Sequence, residues 1–309
     1  MKPALGIDIG GTSVKFGVVK DDKIVGTSAP IKTQQYKSRE ELISQIVSKV
    51  QEIRVEYPDL SSVGVGVPGF VNFETGVISN LTNVKGWTNV PMKEILEAHL
   101  SLPVIVDNDA NAMAYAEWSS GAGVGTKDLV ALTLGTGVGA GIIVNEKLVR
   151  GMNSAAGELG QTSVAYNGRL GEYGNPGALE DYIGNREIIQ EALSLYKQQG
   201  IEKTVDELTP ADLSDLAKMN DAVSLELWDW VAEKLACTLM NCCYLLNPEM
   251  IIIGGGISKA GGLIFNPVRE RLNKWLPSPF VEGLKIVSAK YGNEAGIIGC
   301  AKQASLVAS

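Results

Sequence analysis

Hydrophobic spacing changes along the chain in a regular way. Residues 5–9 form a short apolar run, Gly10, Gly11 and Thr12 make a turn, and residues 14–19 return as a second β-like run. Asp21, Asp22 and Lys23 turn again and residues 24–28 supply a third strand, so the N-terminal part reads as a β-meander. Ser38, with Glu41 three residues on, reads as a capping box. Leu42, Ile43, Ile46, Val47, Val50 and Ile53 then keep helical spacing to about residue 57. A strand over 62–67 ends at Pro68 and Gly69, and a weak strand follows at 77–79. Residues 80–87 are polar with one tryptophan, suiting a ligand-facing loop. A short helix over 92–100 leads to an apolar run at 102–106, which gives way to a helical pattern over 110–119.

The second half repeats part of this plan. Residues 129–134 and 140–144 are apolar strands around Gly135-Thr136-Gly137-Val138-Gly139, as 5–9 and 14–19 flank the first glycine turn. The glycine-rich stretch 119–125 between the halves is the expected domain hinge, since glycine absorbs dihedral change. Residues 155–185 are rich in glycine and polar residues and carry Glu158, Gln161 and Glu180. Helical patterns follow over 179–196, from Thr209-Pro210, and over 222–246 up to Asn247-Pro248. The last is apolar over much of its surface, which suits core or a subunit interface. A buried strand at 250–253 feeds Gly254-Gly255-Gly256. The chain closes with a helix over 262–276, a strand over 284–288 and a helix over 294–306, whose small residues permit close packing against the first domain.

Totals narrow the reading. A chain of 309 residues is long enough for two domains, each with a core. Hydrophobic content of 45% and charge content of 20% are those of an ordinary soluble globular protein. A net charge of −8 argues against nucleic acid or an anionic membrane as main partner. The opening residues have no apolar stretch fit for a signal peptide, and the longest apolar run, around 235–246, contains Asn241 and is too short to span a bilayer. Of the four cysteines, three fall in one apolar helical segment, where buried free thiols are expected. His99 stands alone, at a helix end, with no nucleophile motif beside it.

The candidate chemistry centres on Asp107-Asn108-Asp109, where strand gives way to helix. A carboxylate there can meet a ligand, and Asp109 suits a general base because it is ionised at neutral pH. It equally suits a helix cap, and taken alone this stretch favours the cap. The glycine turns elsewhere reverse that preference. Backbone N–H groups of such turns can form an anion nest. Asp8 then lies beside the phosphate, where it can hold a magnesium ion through water, and Lys15 adds positive charge nearby; the alternative is a structural hairpin. Three glycines at 254–256 clear one spot of side chains, so that a flat group such as an adenine can lie on the backbone. Gly135–Gly139 is not a dinucleotide fingerprint, because strand rather than helix follows it, and no G-x-x-x-x-G-K-[ST] loop occurs.

Five segments in order, DIGGTSVKFGVV, GVGVPG, DNDANA, LTLGTGVGAGI and IIIGGGIS, together resemble the ROK family (repressors, open reading frames and sugar kinases) of the sugar kinase, hsp70 and actin superfamily, over residues 5 to about 304. The resemblance implies an α/β fold of two RNase H-like domains with a central cleft for ATP and sugar. The expected limits are residues 1–118 plus 291–309 for the smaller domain and 119–290 for the larger. It assigns Asp8, Gly10, Gly11 and Thr12 to the first phosphate loop, with Lys15 beside it. Gly135, Thr136 and Gly137 become the second loop, and Gly254, Gly255 and Gly256 the adenosine motif. Asp109 becomes the catalytic base, and Asn108, Glu158 and Glu180 sugar ligands. Gly69 lines the sugar site, Gln161 keeps a hydrogen bond to the sugar, and Asn83 of the polar loop is a further sugar contact.

One departure stands out. Family members usually carry a histidine and a three-cysteine cluster that bind structural zinc; here those positions are Gln161, Gly171, Tyr173 and Ala178. Zinc needs about four N, S or O donors, so no zinc is expected, and the loop 166–177 must hold its shape another way, with Tyr173 and Pro176 as candidates. The family's repressors carry a helix-turn-helix before the first phosphate loop, which begins here at residue 8, so a repressor is not expected. The expected activity is magnesium-dependent transfer of the ATP γ-phosphate to the 6-hydroxyl of a hexose, glucose first, by a cytoplasmic homodimer. An N-acetylglucosamine, N-acetylmannosamine or fructose kinase, a polyphosphate donor, and a non-catalytic sugar sensor are the alternatives.

Overall fold

The computed structural model describes residues 2–81, 86–171 and 173–308. The chain forms two compact units. The first comprises Met1–Val124, Leu148–Gly157 and Lys290–Ser309, and the second Gly125–Lys147 and Glu158–Ala289.

The N-terminal meander is β1 (Ala4–Ile9), β2 (Ser13–Lys20) and β3 (Lys23–Lys32). Helix α1 (Arg39–Glu56) buries the six apolar residues whose spacing announced it. Ser38 caps it by accepting from Glu41 N–H at 3.2 Å, but the box is half made: the Glu41 carboxylate accepts from Lys37 N–H at 2.9 Å instead of turning back to Ser38. Then come β4 (Val63–Val67), β5 (Gly69–Asn72), β6 (Val77–Leu81), β7 (Thr88–Pro91), α2 (Met92–Leu100), β8 (Val104–Asn108) and α3 (Asp109–Ser120). His99 lies exposed in the last turn of α2. Trp87 is 1% exposed and belongs to the core, while residues 82–85 of the stretch read as ligand-facing lie outside the described residues.

The second unit starts with β9 (Leu129–Leu134), β10 (Val138–Val144) and β11 (Lys147–Leu148). The helical pattern read over 179–196 is two helices, α4 (Glu180–Ile183) and α5 (Asn185–Gln198), because Gly184 takes extended dihedrals between them. Helix α6 (Pro210–Lys218) has a complete capping box between Thr209 and Asp212. Helix α7 (Ala222–Leu246) turns Leu227, Val231, Leu235 and Leu239 inward along one stripe and packs on α5, α6 and α8 (Gly262–Trp275). Strand β12 (Met250–Gly254) precedes α8; α9 (Ser278–Val281), β13 (Lys285–Ser288) and α10 (Ala295–Val307) complete the chain, the last within the first unit.

Each unit is built on one five-stranded sheet, and the two share a plan. The orders are β3-β2-β1-β4-β8 and β11-β10-β9-β12-β13, so both read third-second-first-fourth-fifth by chain order. In each, the first two strands form an antiparallel hairpin and the fourth and fifth run parallel to the first. This is the RNase H-like arrangement that the family resemblance implied. Parallel strands place their carboxyl ends along one edge, where ligands of open α/β sheets bind.

Helix α10 lies on β1 and β4 at backbone contact. A Cβ on Gly6 would meet the Ile297 carbonyl oxygen at 2.0 Å, and one on Gly64 the Cys300 carbonyl oxygen at 2.0 Å. On its other side α10 meets α3, where a Cβ on Gly299 would reach the Ala112 oxygen at 1.8 Å. Glycine is required at these three positions by space rather than by dihedral angle. Gly64→Val, a residue otherwise suited to a central strand, should destabilise the protein by about 1–3 kcal/mol through overpacking. Calorimetry checks this, with Gly135→Ala, whose Cβ would have nothing within 4 Å, as the variant that leaves Tm in place.

Candidate functional site

In the first unit the candidates gather at the carboxyl ends of the parallel strands. Asp8 of β1 pairs in register with Gly66 of β4, and Gly66 with Asp107 of β8, so these positions share one face of the sheet. That face is covered by α10. The Cys300 thiol lies under it, wholly buried, and is pushed well above its ordinary value by burial and by the carboxylates of Asp8, Asp107 and Asp109 around it. The structure thus brings Asp8 to Asp107 and Asp109, about a hundred residues further along the sequence, around one thiol. Gly66 lets them converge: a Cβ there would sit 2.8 Å from the Cys300 Sγ and 3.7 Å from the Asp109 Cα.

The junction of β8 and α3 divides its labour between neighbours. Asn108 is the N-cap, its Oδ1 accepting from Ala110 N–H at 2.9 Å and Asn111 N–H at 3.1 Å. Its Nδ2 donates to the Gly69 carbonyl at 3.2 Å, which ties the turn after β4 to this junction. Gly69 has φ +124°, a conformation that L side chains rarely adopt, and a Cβ there would strike the Asn80 oxygen at 2.3 Å. Asp109 is the first helical residue, and its Oδ1 accepts from Ala110 N–H at 2.8 Å. The cap is therefore Asn108, and Asp109 stands one position inside.

Asp8 is raised above the usual carboxylate range by burial, against which the neighbouring Lys15 ammonium, 3.7 Å away, pulls it down. The first glycine turn is closed by Gly10 N–H donating to the Ser13 carbonyl at 2.9 Å. Thr33, which no motif marked, braces it: its Oγ1 donates to the Gly11 carbonyl at 2.6 Å and its N–H to Thr12 at 3.1 Å. Gly10 does not take the left-handed region, so its backbone angles alone do not require glycine. Its N–H is used inside the turn, and a phosphate must be met by other N–H groups.

In the second unit Glu158, Gln161 and Glu180 assemble around the second glycine turn. Glu180 Oε2 accepts from Val138 N–H at 2.7 Å, and its Oε1 from Gln161 Nε2 at 3.3 Å. A Cβ on Gly137 would lie 2.3 Å from that carboxylate, which is why glycine stands there. Asn185 N–H donates to the Gly135 carbonyl at 2.9 Å, so the break between α4 and α5 braces the same turn. The Glu158 carboxyl is raised by desolvation from the protein on its inner side and by the Glu180 charge. Thr136 is exposed at the tip of its turn, as Thr12 is in the first unit. In the Gly254–Gly256 run, packing accounts for two of the three. A Cβ on Gly255, at φ +83°, would strike the Leu134 oxygen at 2.2 Å, and one on Gly254 would meet the Ala289 Cβ at 3.0 Å. Gly256 alone has open space. Asn83 lies outside the described residues.

The loop expected to lack zinc is held by other means. Gln161 Nε2 is engaged with Glu180, Gly171 N–H donates to the Asn175 carbonyl at 2.8 Å, and Ala178 is fully buried. These positions do not fit a zinc ion, and among the described residues no group of three or more His, Cys, Asp or Glu could hold a metal. Isolated bridges Ser163–Ala178 and Leu170–Pro176 pair the loop with itself. Asn175 Nδ2 donates to the Gln161 carbonyl at 2.9 Å. Arg169 reaches Glu191 at 2.7 Å and the Asp181 carbonyl at 3.1 Å while its guanidinium faces the Tyr182 ring at 5.0 Å. Pro176 contributes its bridge as expected, and Arg169 and Asn175 add side-chain ties that no motif marked.

Two sheets of one strand order, each opening on a glycine hairpin, with aspartates at the strand ends of the first, define the actin-like ATPase fold class. The chain belongs to the ROK family, which matches residues 4–306. It is 34% identical over 306 residues to a glucokinase of Halalkalibacterium halodurans, covering 96% of this chain and 92% of that one. A glucokinase of Thermotoga maritima is 32% identical over 303 residues, covering 96% and 95%. A ROK family glucokinase from Streptomyces griseus, solved in complex with glucose and AMPPNP, superposes with a TM-score of 0.83 at 30% identity, covering 98% of this chain and 99% of that one.

The Glu158–Glu180 repulsion has a pH signature. A carboxyl raised in the folded state contributes stability that is present below its unfolded value, near 4.5, and lost as pH rises through the higher folded value. Glu158→Gln should therefore raise Tm of the unliganded protein at pH 7, with the gain vanishing as pH falls towards 4.5. The gain is modest because Glu158 is exposed and water screens it. Melting curves from pH 4 to pH 8 on both proteins check the sign.

Proposed function

We propose that this protein is an ATP-dependent hexose kinase of the glucokinase type. The observation that carries the reading is the β8–α3 junction: Asn108 takes the capping role, and Asp109 is placed one residue inside it, beside Asp8 and Asp107 around Cys300. With Asn108 as the N-cap, the Asp109 carboxylate at the first helical position is the group this reading assigns to proton transfer. The full-length likeness to two curated glucokinases supports the substrate class.

In this reading Asp109 accepts the proton of the sugar 6-hydroxyl as that oxygen attacks the γ-phosphorus in line. The bond from the γ-phosphorus to the bridging oxygen breaks, and ADP leaves. Asn108, Gly69, Glu158, Gln161 and Glu180 orient the sugar. The turn at Gly10, Gly11 and Thr12, through N–H groups other than that of Gly10, is the phosphate loop of the first unit; Gly135, Thr136 and Gly137 are that of the second, and Gly254–Gly256 its adenosine motif. The donor is magnesium–ATP, with Asp8 placed for the metal's water shell and Lys15 for phosphate charge. Positioning and electrostatics supply most of the rate in phosphoryl transfer. A cytoplasmic homodimer is part of the same reading. Four free cysteines fit a reducing compartment, and the exposed Tyr244 and Leu245 of α7 fit a subunit contact. Among the described residues no helix is long and apolar enough to cross a membrane.

A coupled assay for ADP release with magnesium–ATP, run against hexoses, N-acetylhexosamines and fructose, tests this. Glucose should be turned over fastest. Another sugar in first place redirects the specificity, and no turnover on any sugar removes the kinase in favour of a sensor or a polyphosphate donor. Asp109→Asn should lower kcat by at least roughly 10²–10⁴-fold, the usual worth of a general base, while sugar affinity by calorimetry stays near wild type. Retained turnover would take Asp109 out of the base role.

A further inference from the structure

The segment Leu148–Gly157 belongs to the first unit although the chain on both sides of it belongs to the second. It is a tight loop: Gly151, Ser154 and Gly157 take φ of +71°, +57° and +94°, and Ala156 N–H donates to the Arg150 carbonyl at 3.0 Å. Two of its side chains reach into the unit. Ser154 Oγ accepts from Phe73 N–H at 3.2 Å. Arg150 lays its guanidinium 3.3 Å over the Phe73 ring and donates to Asp107 Oδ1 at 2.8 Å and to Gln303 Oε1 at 3.2 Å.

Asp107 is the residue before the Asn108–Asp109 pair, and its side chain is 3% exposed. The same Oδ1 that meets Arg150 accepts from the Asn108 N–H at 2.8 Å. Its Oδ2 has no protein donor among the described residues. A buried carboxylate is costly without a paired cation, and taking one partner from such a pair leaves an uncompensated charge. A guanidinium suits this place because its planar fork meets a carboxylate, an amide oxygen and an aromatic face together.

We propose that Arg150 is a positioning residue for phosphoryl transfer. Paired with Asp107, it fixes the peptide that carries Asn108 and so the angle at which Asp109 enters α3. The inference rests on the kinase reading above, with Asp109 as the group that touches substrate. A displacement of about 1 Å at such a group can cost 10²-fold in rate.

The test measures kcat, KM for magnesium–ATP and Tm for wild type, Arg150→Met, Arg150→Lys and the double variant Arg150→Met/Asp107→Asn. Arg150→Met should lower kcat on the order of 10²-fold with KM for ATP unchanged, and Arg150→Lys should fall between it and wild type. The double variant removes the stranded charge and keeps an amide oxygen for the Asn108 N–H, so it should regain a large part of the lost kcat. Assays run well below each Tm, so loss of folded protein does not count as loss of rate. Where Arg150→Met fails to fold, the Lys and double variants carry the comparison. Wild-type turnover matched by Arg150→Met, a double variant no faster than the single one, or a KM for ATP that moves in step with kcat would each overturn the proposal. Wild type inactive on every sugar would overturn the kinase reading itself, and this inference with it.

Discussion

The first unit depends on one close approach, the backbone of α10 laid directly on β1 and β4. A helix is ordinarily held off a sheet by side chains on both. Here Gly6 and Gly64 remove them on the sheet side, and Gly299 removes the one towards α3. The consequence reaches the site: with α10 this low, Cys300 lies among Asp8, Asp107 and Asp109, and Gly66 gives its thiol room. Three carboxylates then surround one thiol at the strand ends of one sheet, where charge taken out of water must be offset by neighbours. Lys15 does this for Asp8 and Arg150 for Asp107.

The second unit solves a related problem with different groups. Its glycine hairpin is held by the Glu180 carboxylate, which accepts a backbone N–H of the turn, and by the break between α4 and α5. Glu180 also takes the Gln161 amide, and Asn175 takes the Gln161 carbonyl. One candidate sugar ligand of this unit, Glu180, thus also braces its candidate phosphate turn. Both units use an arginine over an aromatic ring to pin an irregular loop, Arg150 over Phe73 and Arg169 over Tyr182. Around Arg169, hydrogen bonds and a cation facing a ring tie the loop.

Much of this was readable along the chain. The duplicated strand–glycine turn–strand pattern announced two sheets of one plan. The 3.6-residue spacing located α1, α2, α6 and α7, and the apolar run ending at Asn108-Asp109 located the junction. The readings that failed were those in which a local rule met a tertiary demand. Glu41 turned to Lys37 instead of completing a box, and Gly184 interrupted an otherwise helical pattern. The glycines of the runs at 135–137 and 254–256 are partly explained by packing, since Gly137 makes room for Glu180 and Gly255 for the Leu134 carbonyl.

Periodicity, turn chemistry and the order of motifs are local properties, and from them the sequence by itself determined the elements, the duplicated plan and the family. Which residues meet is decided by long-range closure, and only the tertiary structure could show it. Thr33 bracing the first turn, Arg150 reaching back 43 positions to Asp107, and Glu180 reaching 42 to Val138 obey no spacing rule. A polar side chain that caps a helix is constrained by neighbours in sequence, but one that neutralises a buried charge is constrained only by neighbours in space.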